Sequence, residues 1–438
     1  MDSTTPLRQR IYEMLMESQY WPPEQMLVYQ RGQLAQLLRH AKATAPFYKT
    51  RLDAVFKKNG EIDWDRWHEI PVVTRADLRD RQNEILTTRL PPGHGPVKTF
   101  NSSGSSGIPI RVEVTQTWTY VNRAATQRFH KLQGLDSIKT RASFANSVKD
   151  PELLGVEYYD AQTGKQPPDT ENGARQFVLN RNLAEIRKLD ILEAEGVEYL
   201  SDIPNNIEVL ALANLSRKNP VKLETIMCFG QGLTVEQRKL FQASFGARSL
   251  SIYSSMEGGQ IGFQCGDKHH YHLNPEIVHV EILDADGRNC ASGEQGRVVI
   301  TPFFNTASPL IRYEQGDGAA LLPSCECQSR LPVIGDISGR QDQFMRFPEG
   351  PRSATGLSQK LIRETLGALA YQLAQVETYK LEIRYVPADF NKKFDPHPVI
   401  AHIRENLHPQ LDIVFKPVEQ VPLNPGGKHQ RIVCELAP

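Results

Sequence analysis

Residues 101–115 read NSSGSSGIPIRVEVT and contain the residue types that could hold phosphate. Glycine lets the backbone turn its N–H groups inward and serine hydroxyls add donors, so such a loop can wrap an anionic triphosphate. The residues of this serine–glycine loop are Ser102, Ser103, Gly104, Ser105, Ser106 and Gly107. The same composition is also typical of a flexible linker, although strand-forming residues follow at once. No Gly-Lys-Ser/Thr sequence follows, so the loop is not of the Walker type.

Four further motifs follow in a fixed order. They are YSSMEGG at 253–259, SPLIRYEQGD at 308–317, SGRQDQF at 338–344 and PLNPGGKHQRIV at 422–433. Each is weakly specific by itself, since its charged residues could equally be solvated surface groups. Taken with the serine–glycine loop, their order and spacing resemble the adenylate-forming superfamily of acyl-CoA synthetases, in the branch of phenylacetate-CoA ligase. The resemblance extends from about residue 35, just before the segment LLRHAKATAPFYKTRL, to the end of the chain.

The resemblance implies which residues would bind Mg-ATP. The serine–glycine loop would hold the β- and γ-phosphates, and Glu257 would hold Mg²⁺, because a hard cation prefers carboxylate oxygens. Tyr253 would lie against the adenine ring with Ser254 beside it, and Asp317 would accept hydrogen bonds from the ribose hydroxyls. The other residues expected on the nucleotide or acyl side are Gly230, Gln231 and Arg312.

The last two motifs imply the chemistry of the reaction. Attack of a carboxylate on the α-phosphate brings two anions together, and Lys428 would bridge them where charge develops in the transition state. Arg340, expected to serve catalysis, and Asp342 match the hinge about which a small C-terminal domain would swing. The implied activity is conversion of a small, aryl carboxylic acid to acyl-AMP, then transfer to a thiol, with CoA as the first choice and domain rotation between the steps.

Three departures from the family pattern bear on the acceptor. Ile108 stands where a lysine usually follows the loop, and Gln343 stands where a second aspartate is usual at the hinge. Residues 345–359 do not match the glycine-containing loop that helps thioester-forming relatives build the acceptor tunnel. The acceptor therefore stays open between CoA, a carrier-protein thiol, an amine and another nucleophile. A nucleotide-binding protein without catalysis and a zinc-held interaction scaffold are the alternatives from other classes.

Cysteine and histidine spacing raises the question of a metal site. The candidate ligands are Cys265 and His272 in CGDKHHYH, and Cys325 and Cys327 in CEC. Two thiolates one residue apart and a distant Cys/His pair could complete a tetrahedral zinc site, whereas spacing alone favours buried free thiols. Zinc is favoured once the resemblance is added, because certain relatives carry a similar arrangement. With four protein ligands the ion would be structural. His269 and His270 compete with His272 as the nitrogen ligand.

The elements that would position these residues are partly readable. Residues 222–255 have a strand–helix–strand pattern with a turn at Gly230. Thr234 and Gln237 have the spacing of a capping box, and Gly246 suits the end of the helix. This pattern predicts an α/β-layered architecture.

After Gly339 the pattern predicts a smaller α+β unit. The stretch YKLEIRYV alternates, and places Tyr379, Leu381, Ile383 and Tyr385 on one face. A helix carrying Ile400, Ile403 and Leu407 and a strand, DIVFKPV, follow. We therefore predict an α/β plus α+β protein. Residues 1–338 would form a large multi-layered adenylation domain with sheets and helices, holding the acyl, ATP and zinc sites, and residues 339–438 a small mobile domain carrying Lys428.

Bulk composition excludes several other classes. Lys plus Arg and Asp plus Glu both total 51 in 438 residues, so the net charge is zero, which argues against nucleic acid as the main partner. No stretch resembles a signal core or a membrane span, so no membrane partner is expected and the cytoplasm is the default location. Six cysteines in this length do not make a disulfide scaffold. The oligomeric state, a homodimer included, stays open.

Overall fold

The computed structural model describes residues 6–101, 110–145, 158–160, 175–266, 268–337, 344–354, 357–391, 393–422 and 430–436. The helices in these ranges are α1 (Leu7–Ser18), α2 (Pro23–Thr44), α3 (Arg75–Asp80), α4 (Gln82–Ile85), α5 (Gln116–Leu132), α6 (Glu185–Ala194), α7 (Pro204–Leu215), α8 (Val235–Phe245), α9 (Gln359–Leu366) and α10 (His397–Asn406). Short 3-10 segments lie at Pro46–Tyr48, Asp53–Val55 and Trp64–Glu69. Among the described helices, none combines the length and the apolarity that a bilayer crossing requires.

The strands in the same ranges follow in chain order. They are β1 (Val97–Asn101), β2 (Arg111–Thr115), β3 (Arg141–Ala145), β4 (Tyr158–Asp160), β5 (Gln176–Asn180), β6 (Tyr199–Asp202), β7 (Thr225–Phe229), β8 (Arg248–Ser255), β9 (Gly259–Gln264), β10 (Tyr271–Leu273), β11 (Val278–Leu283), β12 (Gln295–Pro302), β13 (Tyr313–Leu322), β14 (Val333–Ile334), β15 (Phe344–Phe347), β16 (Gly350–Ser353), β17 (Ala368–Glu377), β18 (Lys380–Pro387), β19 (Asp412–Pro417) and β20 (Ile432–Cys434).

The chain divides into two compact units. One comprises Met1–Asp136 and Ser251–Ser338, and the other comprises Ser137–Leu250 and Gly339–Pro438. The predicted domain boundary between residues 338 and 339 coincides with one of the points at which the chain passes from one unit to the other. The linear division into 1–338 and 339–438 stays a prediction.

The first unit is built on antiparallel strands. β11, β12, β13, β14, β10, β9 and the end of β8 lie side by side in this order, and each adjacent pair is antiparallel. β1 and β2 form a separate antiparallel pair, and α1 packs on α5. A hydrophobic core that includes Leu38, Tyr48, Val114 and Ile300 joins the helices to this sheet. The strands of this sheet and the loops between them carry most of the described candidate site residues.

The second unit contains an α/β layer. β7, β6, β3 and β5 are parallel neighbours, and β4 lies antiparallel to β5 at the edge. The predicted strand–helix–strand of residues 222–255 is confirmed as β7, α8 and β8. Thr234 and Gln237 form the predicted capping box, and Gly246 ends α8 in the left-handed conformation at φ 71°, where glycine has no Cβ to strain. A separate hydrophobic core, formed by residues between 142 and 247, lies around these strands.

Residues 344–436, the C-terminal module, have a core of their own. β19, β18, β17 and β20 lie in this order, with β17 and β18 antiparallel and the outer strands parallel to their neighbours. Leu381, Ile383 and Tyr385 are buried on the face of β18 that packs on α9 and α10, as their alternation predicts. The predicted combination of an α/β layer with a small α+β module is therefore confirmed.

Candidate active site and metal centre

Tyr253 and Asp317, predicted separately as adenine and ribose contacts, are joined by a hydrogen bond. The hydroxyl of Tyr253, near the end of β8, donates a 2.9 Å hydrogen bond to Oδ2 of Asp317 in β13. Both side chains are buried. The hydrogen bond fixes the orientation of the carboxylate, and a carboxylate can accept from more than one donor at once. Asp317 can therefore accept a ribose hydroxyl while Tyr253 holds it.

A tight turn between β8 and β9 carries Glu257. The amide of Gly258 donates to Oγ of Ser255 at 2.8 Å. Gly259 has φ 70°, and a Cβ there would lie 2.1 Å from Oδ1 of Asn122, so only glycine fits. Glu257 is buried, and none of the described residues donates a hydrogen bond to its carboxylate. A buried carboxylate can provide the oxygen ligands that a hard cation such as Mg²⁺ prefers.

Ser254 lies in the same strand pair. It is paired with Gln260, and the register of β8 and β9 shifts between Tyr253 and Ser254. Such an irregularity re-aims side chains and is common beside functional sites. The role of Ser254 in nucleotide binding stays a prediction.

Arg312, predicted on the nucleotide side, is held within the protein in this structure. Its guanidinium makes a two-point ion pair with Glu281, at 3.1 and 3.0 Å, and donates to the carbonyls of His68 and Ile70. The backbone of Arg312 has φ 54°, an uncommon conformation for a residue with a side chain. These contacts fix the chain directly before β13. Arg312 therefore stabilises the start of the strand that carries Asp317. A direct contact with nucleotide stays a prediction.

Gly230 and Gln231 form the turn between β7 and α8, as predicted. Gly230 has φ 72°, which glycine adopts without strain. The turn lies at the carboxyl end of a parallel strand, where ligands bind in open α/β sheets. Their contact with adenine or the acyl group stays a prediction.

The carboxyl ends of the neighbouring strands hold an ion pair that the sequence analysis missed. Arg181 follows β5 and donates to Oδ1 of Asp202, the last residue of β6, at 2.7 Å. Asn206 donates to the other oxygen of Asp202 at 3.0 Å. Burial raises the pKa of Asp202, although Arg181 opposes the rise. The signal available in the sequence was an aspartate that ends a buried strand.

The remaining predicted site residues lie outside the described residues. They are Ser102, Ser103, Gly104, Ser105, Ser106 and Gly107 of the serine–glycine loop, Arg340 and Asp342 of the hinge motif, and Lys428. Their roles stay predictions.

The four predicted zinc ligands come together. One donor atom from each of Cys265, His272, Cys325 and Cys327 lies within 4.8 Å of all the others. Sγ of Cys265 lies 3.6 Å from Sγ of Cys325, and Nε2 of His272 lies 3.2 Å from Sγ of Cys327. Three thiols and one imidazole at this spacing match the donor set of a closed structural zinc site.

The surroundings of the cluster suit a metal as well. Nδ1 of His272 lies 3.4 Å from the carbonyl of Leu331, a contact that leaves Nε2 to face the thiols, as in many metal sites. Burial lowers the pKa of His272 to about 4, which keeps the imidazole in the neutral form that binds metals. His270 lies beside the cluster, with Nε2 3.2 Å from Sγ of Cys325. His272 is therefore the histidine of the four-residue ligand group, and His270 lies within hydrogen-bond distance of Cys325.

The cluster joins the ends of two strands that serve the candidate nucleotide site. Cys265 directly follows β9, which begins beside the Glu257 turn. Cys325 and Cys327 follow β13, which carries Asp317. A metal ion bound here would clamp both strands at the ends away from these two carboxylates.

Comparison with known proteins gives a consistent result. No family model matches the chain. The chain is 22% identical over 447 residues to the phenylacetate-coenzyme A ligase of Thermus thermophilus, covering 94% of this chain and 97% of that protein.

Solved structures agree on the fold. One is 2-hydroxyisobutyryl-CoA ligase in the postadenylation state in complex with R3-HIB-AMP, at 15% identity and a TM-score of 0.71, covering 99% of this chain and 95% of that one. A second is an anthranilate CoA ligase in complex with anthranoyl-AMP, at 14% identity and a TM-score of 0.51, covering 76% and 64%. The chain is therefore similar along nearly its whole length to a phenylacetate-coenzyme A ligase, and it shares the fold of these CoA ligases.

Proposed function

We propose that this protein is an adenylate-forming ligase that uses Mg-ATP to convert a small, aryl carboxylic acid to its acyl-AMP and then transfers the acyl group to the thiol of CoA. The observation that carries the proposal is the buried Tyr253–Asp317 pair in the same unit as the turn that bears Glu257. A fixed hydrogen-bond acceptor and a buried carboxylate are what ribose and Mg²⁺ require. The solved relatives named above hold acyl adenylates, in agreement with this reaction class.

Each residue has a physical task in this proposal. Asp317, oriented by Tyr253, accepts from the ribose hydroxyls and fixes the nucleotide. Glu257 would provide carboxylate oxygens for Mg²⁺, which would neutralise phosphate charge. Lys428 approaches the acid carboxylate and the α-phosphate as they meet, and its charge matters most in the transition state. Rotation of residues 339–438 then exchanges the adenylation arrangement for one that admits the thiol.

Zinc has a structural part in the proposal. Cys265, His272, Cys325 and Cys327 would hold the ion, and a closed set of four protein ligands leaves no position for substrate. The ion would supply rigidity to the ends of β9 and β13.

The experiment that tests the proposal is carboxylate-dependent exchange of pyrophosphate into ATP across a panel of aryl and alkyl acids. We expect exchange with at least one aryl acid, and faster AMP release when CoA is added. Exchange that persists with no effect of CoA would instead favour an amine or another non-CoA acceptor. Binding of ATP without exchange across the whole panel would contradict the proposal and leave a non-catalytic nucleotide-binding protein.

A further inference from the structure

Glu208 in α7 is a buried carboxylate on which several donors converge. Arg363 of α9 donates to its Oε1 at 2.9 Å, and Gln237 of α8 donates to its Oε2 at 2.8 Å. Arg431, directly before β20, also donates to Oε2. A buried carboxylate held by two guanidinium groups and an amide is fully satisfied, and its hydrogen bonds to charged donors are of the strong kind. None of the residues predicted for the site is in this group.

These contacts join two separate hydrophobic cores. α7 packs into the core of residues 142–247 through Ile207, Leu210 and Ala211. Arg363 and Arg431 belong to the C-terminal module, whose core is formed by residues between 345 and 432. Neither cluster includes a residue of the other, and the ion pairs of Glu208 with Arg363 and Arg431 are polar contacts between the two regions. Polar contacts between separate cores are the kind that domain motions can break and remake.

The Glu208 contacts also connect two predicted parts of the active site. Gln237 is the capping-box residue of α8, whose first turn follows the Gly230 turn. On the other side, Arg431 follows Lys428 by three positions. The backbone of Arg431 is fixed in the module because its carbonyl accepts from the amide of Leu373 at 2.7 Å. A single carboxylate therefore ties the start of α8 to the strand that follows the lysine.

We propose that Glu208 is a positioning residue of the adenylation step: by holding Arg431 and Arg363 it fixes the C-terminal module in the arrangement that adenylation uses. The inference rests on the proposed function of Lys428. The contact is made in one arrangement of the module and is broken when the module rotates. Removing an interaction made in only one of two states shifts the population away from that state. Loss of the carboxylate therefore weakens adenylation and spares the step that follows rotation.

The test measures the two half-reactions separately in Glu208→Gln, which keeps the side-chain volume and removes the charge. Pyrophosphate exchange reports adenylation, and release of AMP from a synthetic acyl-AMP with CoA reports transfer. We expect exchange to fall by about 10²-fold, the effect of a small misplacement of a catalytic group, and transfer to stay within about threefold. Equal losses in both steps, or no loss in exchange, would overturn the proposal.

A matched control is available in the same unit. Glu193 pairs with Arg217, and the pair is partly exposed and distant in sequence from the module. Glu193→Gln makes the same chemical change and should leave both half-reactions unaltered. Arg431→Gln is a second test, because this variant should slow pyrophosphate exchange while Arg363 still donates to Glu208. Combining it with Glu208→Gln should cost much less than the product of the single losses, and independent effects would count against the proposal.

Amide hydrogen exchange of the whole protein tests the docking without any catalytic readout. In Glu208→Gln we expect faster exchange in β20 and at the start of α9, with α1 and α5 unchanged. The same protection in the variant and the wild type would overturn the docking even if the enzyme were active. Faster exchange in β20 in a protein that catalyses no adenylation would support the docking and place the failure in the proposed function.

Discussion

The hydroxyl of Tyr253 donates a 2.9 Å hydrogen bond to Oδ2 of Asp317, which joins the end of β8 to β13. The two residues are 64 positions apart, and the family resemblance assigns them to different parts of the nucleotide. The structure makes them one group, because the tyrosine orients the carboxylate that would meet the ribose. A change in either residue should therefore alter nucleotide binding in a related way.

Tyr253→Phe should weaken ATP binding by about 10-fold, since a hydrogen bond to a charged group contributes about 1.5–3 kcal/mol. Asp317→Asn should weaken it at least as much. The double variant should lose little more than Asp317→Asn alone, because the tyrosine acts through the carboxylate. Isothermal titration with ATP measures all three. Fully additive losses would show that the two residues contact the nucleotide independently.

Arg312→Ala should destabilise the fold by about 3–5 kcal/mol, because it leaves the buried carboxylate of Glu281 without its partner. Urea unfolding measures the loss, and Glu281→Gln, which removes the charge that needs the partner, is the matched comparison. ATP affinity measured on the folded fraction distinguishes the two roles of the arginine. Affinity close to that of the wild type indicates support of β13 alone, whereas a loss above 10-fold would establish the predicted nucleotide contact.

Local signals in the sequence predicted the ends of α8 and the buried face of β18 well. Thr234, Gln237 and Gly246 mark the two ends of α8 because capping depends on neighbours three or four residues away. The alternation of Leu381, Ile383 and Tyr385 was sufficient for β18 for the same reason. Helical phase was less well predicted in α10, where Val399 is fully buried in place of Ile400. Neighbouring apolar residues cannot by themselves show which of them faces the core.

The zinc site should be detectable directly. Purified protein should contain about one equivalent of zinc, and Cys325→Ser should lower this content and the thermal midpoint. Cys434→Ser, a partly exposed cysteine of the C-terminal module, is the control and should retain the metal. Because the cluster clamps β9 and β13, removal of zinc by a chelator should also weaken ATP binding. Metal-free protein with wild-type stability and affinity would contradict this.

The stability that the ion pairs of Glu208 contribute should depend on pH in a defined way. Burial raises the pKa of Glu208, but Arg431, Gln237 and Arg363 together bring it below its ordinary value. A lowered pKa in the folded state means that the stabilisation is present above the ordinary glutamate value of about 4.3 and is lost as the pH falls through the folded value. The stability difference between the wild type and Glu208→Gln should be constant from about pH 8 to about pH 5 and shrink below about pH 4. Urea unfolding at each pH measures it, and a difference that grows on acidification would contradict the assignment.

The sequence could not show which polar residues pair with each other when they are far apart in the chain. Arg128 and Glu276 form a fully buried ion pair that also takes in Asn274 and Ser18. Nothing in the local sequence distinguishes these residues from surface charges, because their partners lie more than a hundred positions away. The zinc ligands were predicted because the family resemblance was added to the spacing of a few cysteines. Glu208 was missed because glutamate is common on helices and its partners come from three separate elements.

Lys428→Ala offers the most direct test of the central claim, that a lysine of the C-terminal segment bridges the acid and the α-phosphate. Pyrophosphate exchange should fall by about 10²–10³-fold, the usual cost of losing an aimed charge or donor, while ATP binding changes little. Lys393→Ala, which removes an exposed lysine of the same module, should exchange like the wild type. Exchange in Lys428→Ala at the rate of the Lys393→Ala control would contradict the account.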